Sequence, residues 1–235
     1  MSETRDRLLD AAECLFAEKG LHGTSAREIV AAAGQRNESA IQYHFGGREG
    51  LVDALVARRV AAIEAVRNAR LDALLEGEPA PGVRALLACI VEPVVELCRD
   101  DPGFRAFLSA FGEVALAAGI HLARTRQELR SLARMRDQLR KSLDVPEAVL
   151  SDRAEALTRF LLLSLSQRAR SKESFRGRAF ERFLTNLTDM GAAMLTAEVS
   201  PDTHAAYGTA RGPVGTDTRQ VRSDRAPEDL ISRRR

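Results

Sequence analysis

Residues 24–47 read "TSAREIVAAAGQRNESAIQYHFGG", two short apolar-sided runs divided by a single glycine and closed by a glycine pair. In the first, Ser25 and Glu28 stand at capping-box spacing, Ile29, Val30 and Ala33 supply an apolar side, and Gly34 ends the run. That predicts a helix of about two to three turns. In the second, "QRNESAIQYHF" offers polar turn and cap residues before a short helix, which Gly46 and Gly47 stop. The proportions are those of a helix-turn-helix, in which the second helix enters the major groove of DNA.

The rest of the chain reads as helices on either side of this stretch. "RDRLLDAAECLFAEK", residues 5–19, places Leu8, Ala12, Leu15 and Phe16 on one face before Gly20. From Arg48 a pattern of Leu51, Leu55, Ile63, Val66 and Leu74 runs to Gly77, long enough to join two domains. A fifth helix covers residues 82–99, with Pro93 expected to kink or split it. Asp101-Pro102 reads as the cap and first residue of a sixth, on which Phe104, Phe107 and Phe111 form one aromatic stripe. An arginine-dense seventh helix spans residues 120–143, its arginines forming the solvated face. Residues 151–172 are apolar almost all round from Leu157 to Leu165, and 178–195 form a last amphipathic helix. Beyond Val199 the period is lost and the chain ends in "RRR", a composition that reads as a disordered tail. The predicted fold is all-α, in three parts: residues 1–47, 48–199 and 200–235.

Composition excludes more than it assigns. The 235 residues are 45% hydrophobic, enough for a substantial core, yet no apolar run reaches the roughly 18 to 20 residues of a membrane span. The N-terminus lacks the apolar centre of a signal peptide, so the expectation is a cytoplasmic protein without a membrane partner. Cys14, Cys89 and Cys98 are three widely spaced cysteines in apolar patterns, read as reduced core thiols. The four histidines are isolated and no nucleophile elbow or phosphate-cradling loop occurs; neither an enzyme, a metal site nor a cofactor is expected. A net charge of +2 gives no push toward nucleic acid, which leaves that case to local chemistry.

That chemistry lies in the third helix. Asn37, Glu38, Ser39, Gln42, Tyr43 and His44 offer donors and acceptors, while Ala40 and Ile41 serve as the inner side. Glutamine can read adenine, and tyrosine, serine and arginine commonly hold phosphates. The competing reading makes Tyr43 and Phe45 a local core with solvated neighbours. Phe45, four residues after Ile41, fits it, and His44 fits either.

Over residues 8–56, "LLDAAECLFAEKGLHGTSAREIVAAAGQRNESAIQYHFGGREGLVDALV" resembles the N-terminal domain of the TetR (tetracycline repressor) family. The resemblance rests on the Leu-x-x-Ala-x-x-Leu-Phe first helix, Lys19-Gly20, Thr24-Ser25, Ala33-Gly34, Tyr43-His44-Phe45 and Arg48-Glu49 with Leu51. It implies DNA contacts at Thr24, Ser25, Gln42, Tyr43, His44 and Arg48; Arg36, Asn37 and Ser39 are added from the turn and cap. Two positions depart from the family, Leu21 and Gln42, where it usually has aromatics. The segment from Gly34 to Phe45 is also one residue longer than the common pattern.

The resemblance further implies a one-component transcriptional regulator, in the main reading a repressor. It would bind double-stranded operator DNA as a homodimer through residues 149–170 and 177–196 and be released by a small, largely apolar effector. The Phe104, Phe107 and Phe111 stripe reads either as bundle core or as the wall of an effector pocket, with Ile63, Cys89, His121 and Phe160 as further candidates. The alternative function is a helix-turn-helix protein that acts constitutively or through a protein partner.

Overall fold

Leu8, Leu9, Ala12 and Phe16, recurring at helical spacing, give α1 (Glu3–Lys19) its buried side, and the Gly20 N–H closes the helix on the Phe16 carbonyl at 2.9 Å. The computed structural model describes residues 3–37, 39–117, 129–171 and 175–208, and among these every regular element is a helix. After α1 come α2 (Ala26–Ala32), α3 (Ser39–Phe45), α4 (Arg48–Gly77), α5 (Val83–Asp100) and α6 (Pro102–Ala117). Then follow α7 (Arg130–Ser142), α8 (Glu147–Arg170), α9 (Arg178–Thr196) and α10 (Pro201–Gly208).

Among the described residues up to 198, two hydrophobic cores form. The first gathers Leu8, Leu9, Ala12 and Phe16 of α1, Ile29 and Val30 of α2, Ala33, Ile41 of α3, Leu51 and Leu55 of α4, and Phe107 of α6. The second is larger and lies among α4 to α9, from Leu71 and Leu87 to Phe104, Met135, Leu161, Phe180 and Leu195. α4 therefore serves the first core with its opening turns and the second with Leu71. Its 30 residues make it about 45 Å long. α6 packs against both α1 and α8.

Arginine and acid side chains reinforce this joint. Glu13 of α1, only 6% exposed, receives Arg58 Nη2 at 2.8 Å and Arg59 Nε at 2.5 Å, and Arg59 Nη1 reaches Asp101 at 2.5 Å. Burial alone would lower the Arg59 pKa, but Glu13 and Asp101 outweigh it and hold the group above its ordinary value. Asp101 also accepts the Gly103 N–H at 2.8 Å, so the predicted cap of α6 is present and is tied to α4 as well.

Three local expectations change. α5 does not split at Pro93, because Val91, Pro93 and Val95 are all buried and packing compensates the missing hydrogen bond. Cys14 is exposed, whereas Cys89 and Cys98 are buried and free, with burial pushing the Cys98 thiol up to about 12. Within the stretch read as a disordered tail, Pro201–Gly208 is helical, its start capped by the Ser200 hydroxyl accepting the Thr203 N–H at 3.2 Å. That helix belongs to a separate unit, Val199–Arg235. No described helix is long and apolar enough to cross a membrane.

Candidate nucleic-acid interface

The α2–α3 corner is built from its caps. The Ser25 hydroxyl accepts the Glu28 N–H at 3.2 Å while Glu28 Oε2 accepts the Ser25 N–H at 2.8 Å, completing the predicted box. A hydrogen bond from Lys19, joined by the Ser25 backbone and hydroxyl, pulls the Glu28 carboxyl down to about 2. At the far end of α2 the Gln35 N–H returns to Val30 at 2.9 Å and the Gly34 N–H to Ala31 at 3.0 Å, a Schellman closure with Gly34 at φ 69°. A side chain at Gly34 would also place its Cβ 2.7 Å from Arg7 Nη2. The left-handed backbone is what asks for glycine there, since the Arg7 side chain end can move aside.

Asn37 then starts α3. Its Oδ1 accepts the Ser39 N–H at 2.9 Å and its carbonyl the Ala40 N–H at 3.0 Å. At the other end Gly46 and Gly47 take φ 73° and 131° in succession, conformations that side chains oppose, and α4 begins immediately. α3 is thus seven residues held at both ends, with Ile41, 3% exposed, as its anchor. Phe45 is half-buried beneath the Arg5 guanidinium, 5.1 Å from its ring centre.

The expected DNA residues divide by where their polar atoms are used. Ser25, Arg36, Asn37, Ser39, Gln42 and Tyr43 are exposed, and His44 is half-buried with its ring edge-on to Tyr43 at 4.9 Å. Tyr43 is 84% exposed. Thr24 turns inward: it is 4% exposed and its hydroxyl donates to the Leu15 and Gly20 carbonyls at 3.2 and 3.0 Å, joining the end of α1 to the start of α2. Arg48 also faces the fold, stacked over Phe16 at 5.3 Å and donating to the Leu21 carbonyl. Sequence reasoning missed Arg5 and Arg7, which reach the two ends of this corner from α1. Their spacing on α1 reads as a solvated face and carries no signal of the approach.

The expected effector residues do not share one wall. Phe104 is fully buried in the second core and Phe107, one turn on, in the first, with ring centres 6.1 Å apart. Cys89 is buried in the second core, and Ile63 and Phe160 are half-buried against it. α6 extends over Phe111, whose side chain lies outside the described residues, as does His121. An open polar groove of about 380 Å³ runs along α9 past Arg178, Glu181, Arg182, Thr185, Asn186 and Asp189. No cluster of metal-ligating side chains occurs among the described residues.

Comparison with known proteins places the α1–α4 unit. Residues 8–55 match the family described as "Bacterial regulatory proteins, tetR family". The chain is 43% identical over 54 residues to YttP of Bacillus subtilis (strain 168), assigned as a helix-turn-helix-type transcriptional regulator, covering 23% of this chain and 26% of that protein. It is 44% identical over 55 residues to the helix-turn-helix-type transcriptional repressor KstR2 of Rhodococcus jostii (strain RHA1), with the same coverage. The match thus spans about a quarter of the length of these curated relatives. The solved structure of SCO7518 from Streptomyces coelicolor A3(2), assigned as a transcriptional regulator, is 25% identical. It has a TM-score of 0.52 and aligns over 84% of this chain and 100% of that one. Residues 8–55, the helix-turn-helix unit described above, are therefore the part of the chain that is similar to the tetR family of bacterial regulatory proteins.

Proposed function

We propose that the protein is a one-component transcriptional regulator, a repressor, that binds operator DNA as a homodimer and is released by a small ligand held among α4 to α9. The observation that carries the DNA reading is the division of α3. Ile41 is sunk in the core while Tyr43 stands 84% exposed among exposed Gln42, Ser39 and Asn37. A bare tyrosine on a helix capped at both ends suits phosphate or base contact better than it suits a monomer surface.

Gln42 and Tyr43 are the base- and phosphate-facing pair, Ser39, Asn37 and Arg36 flank them, and Thr24 and Arg48 act by holding α2 and α4 in register. The relative named a repressor lends the direction of control. Acidic and basic residues nearly cancel through residue 60, so counterion release contributes modestly and a second protomer supplies the remaining affinity. Two α3 helices about 34 to 36 Å apart would enter successive major grooves. For the dimer, the supporting observation is the position of the exposed large apolar side chains. Among the described residues these are, besides Tyr43, Leu163 on α8, 43% exposed, and Met190 on α9, 45% exposed. A ligand that prefers one placement of α4 and α6 over another would change the α3 spacing through differential affinity.

The test is fluorescence anisotropy with the DNA flanking the protein's own gene. Tyr43→Ala and Gln42→Ala are expected to weaken binding at least tenfold with an unchanged thermal melt. Undiminished binding by both variants would remove α3 from the interface.

A further inference from the structure

Arg67 differs from Arg59 and Arg70, its neighbours on α4. It lies on α4 at 7% exposure, its Nε has no hydrogen-bond partner, and its acidic neighbour, Glu64, stands 3.8 Å from Nη1, too far for a hydrogen bond. Glu64 is directed elsewhere, accepting the Ser131 N–H at 2.8 Å, the Ser131 hydroxyl at 2.5 Å and Asn68 Nδ2 at 2.8 Å. The neighbouring cations are satisfied: Arg70 by Glu92 and Glu96 at 2.5 and 2.7 Å, and Arg134 by Asp72 at 2.7 Å. Arg59 shows how this chain treats an arginine that serves the fold, giving it two carboxylates at 2.5 Å.

A guanidinium cannot shed its charge, and its planar fork matches a carboxylate edge to edge. Leaving one buried without an acceptor costs stability, which a protein tolerates where a ligand later supplies the acceptor. Burial lowers the Arg67 pKa, with Glu64 and Cys89 only partly opposing it, in keeping with an under-compensated cation. Ile63 and Leu71, one turn to either side on the same helix face, and Cys89 of α5 make the surroundings apolar.

We infer that Arg67 anchors the effector, and that the effector is an amphiphilic carboxylic acid whose acid group pairs with Arg67 and whose apolar body lies along Ile63, Leu71 and Cys89. This rests on the reading of α4 to α9 as a ligand-binding bundle and replaces its largely apolar effector with one carrying a single anionic end. Arg67 stands eight residues, about 12 Å, along α4 from Arg59, which grips Glu13 of α1. A carboxylate that draws on Arg67 acts on the helix that holds the DNA-binding end.

Matched pairs that differ only in the head group test this: octanoate against 1-octanol, and 3-phenylpropionate against 3-phenyl-1-propanol. Each is titrated into the full-length protein without DNA by calorimetry, with thermal melts alongside. The wild type is expected to bind at least one acid tenfold or more tighter than its alcohol, and Arg67→Met to abolish the preference while keeping alcohol affinity. Without ligand, Arg67→Met is expected to melt at or above the wild-type temperature, and Arg67→Gln close to it. The proposal is overturned if neither acid binds the wild type more tightly than its alcohol, if the preference survives both substitutions, or if both variants lose several degrees before any ligand is added. Because DNA is absent, failure here leaves operator binding to the anisotropy test; acid preference without operator binding would sink the regulator reading alone.

Discussion

Replacing Glu13 by Gln probes the joint between the helix-turn-helix end and the bundle. The side chain is 7% exposed and accepts from two arginines of α4, one of which, Arg59, is itself 13% exposed and bridges on to Asp101. Removing one partner of a fully buried pair costs about 3–5 kcal/mol, whereas an exposed pair is worth about 1 kcal/mol or less. Here Arg58 keeps Asp10 at 2.6 Å and Arg59 keeps Asp101, so neither cation is stranded and the expected loss is about 2 kcal/mol. For a chain of this size that is a fall in Tm of about 4–8 °C. A double-mutant cycle with Arg59→Met, read by urea denaturation, should give a coupling energy of about 1.5–2 kcal/mol. A coupling below about 0.5 kcal/mol would show the pair to be screened like a surface contact and refute the assignment of a structural joint.

Gly34→Ala should lower stability by about 1–2 kcal/mol, the cost of the left-handed backbone for a side-chain residue, seen as a lower urea midpoint; Arg7 can swing aside and adds little. Glu28, with its carboxyl held at about 2 against an ordinary 4.5, contributes stability that is complete above pH 4.5 and is lost as the pH falls toward 2. Glu28→Gln should therefore flatten the acid limb of a stability-against-pH profile in that window, and an unchanged limb would disprove the linkage. Leu163→Glu and Met190→Glu touch side chains already nearly half exposed, so the monomer should keep its helicity while, on the homodimer reading proposed above, light scattering shows self-association weakened at least tenfold. A dimer indifferent to both would place the interface elsewhere.

The ends of α2 and the start of α6 were legible because each is written locally, whereas α10 was read as disordered tail. Ser25 with Glu28 starts α2, Gly34 ends it, and Asp101 with Pro102 starts α6, each through atoms within a few residues of one another. The exposed side of α3 was legible for the same reason: once Ile41 faces inward, Gln42 and Tyr43 must face out. What local pattern could not show is which polar side chain answers an orphan group left by another helix. Thr24 looks like a hydroxyl beside a cap, yet the carbonyls of Leu15 and Gly20 at the end of α1 claim it. Arg48 looks like a phosphate contact at a helix start, yet the Phe16 ring and the Leu21 carbonyl draw it inward. Pro93 likewise reads as a kink or a split, and with Val91 and Val95 buried beside it the helix does not split.

The aromatic stripe of α6 shows the same limit at longer range and ties the fold to its use. A spacing of three says that Phe104 and Phe107 share a helix face, but not that two cores meet along it. Phe107 enters a cluster otherwise made by residues 8–55, while Phe104, under the Arg59 guanidinium at 5.6 Å, enters the cluster of the bundle. The first core therefore takes side chains from two elements, α4 and α6, that also build the second, and no single covalent linker separates them. On the proposed reading this is how a ligand among α4 to α9 would reach α3 without contacting it. Any shift of α4 relative to α6 has to be accommodated at Leu51, Leu55, Phe107 and the Glu13 carboxylate, and close-packed side chains there transmit displacement better than they absorb it.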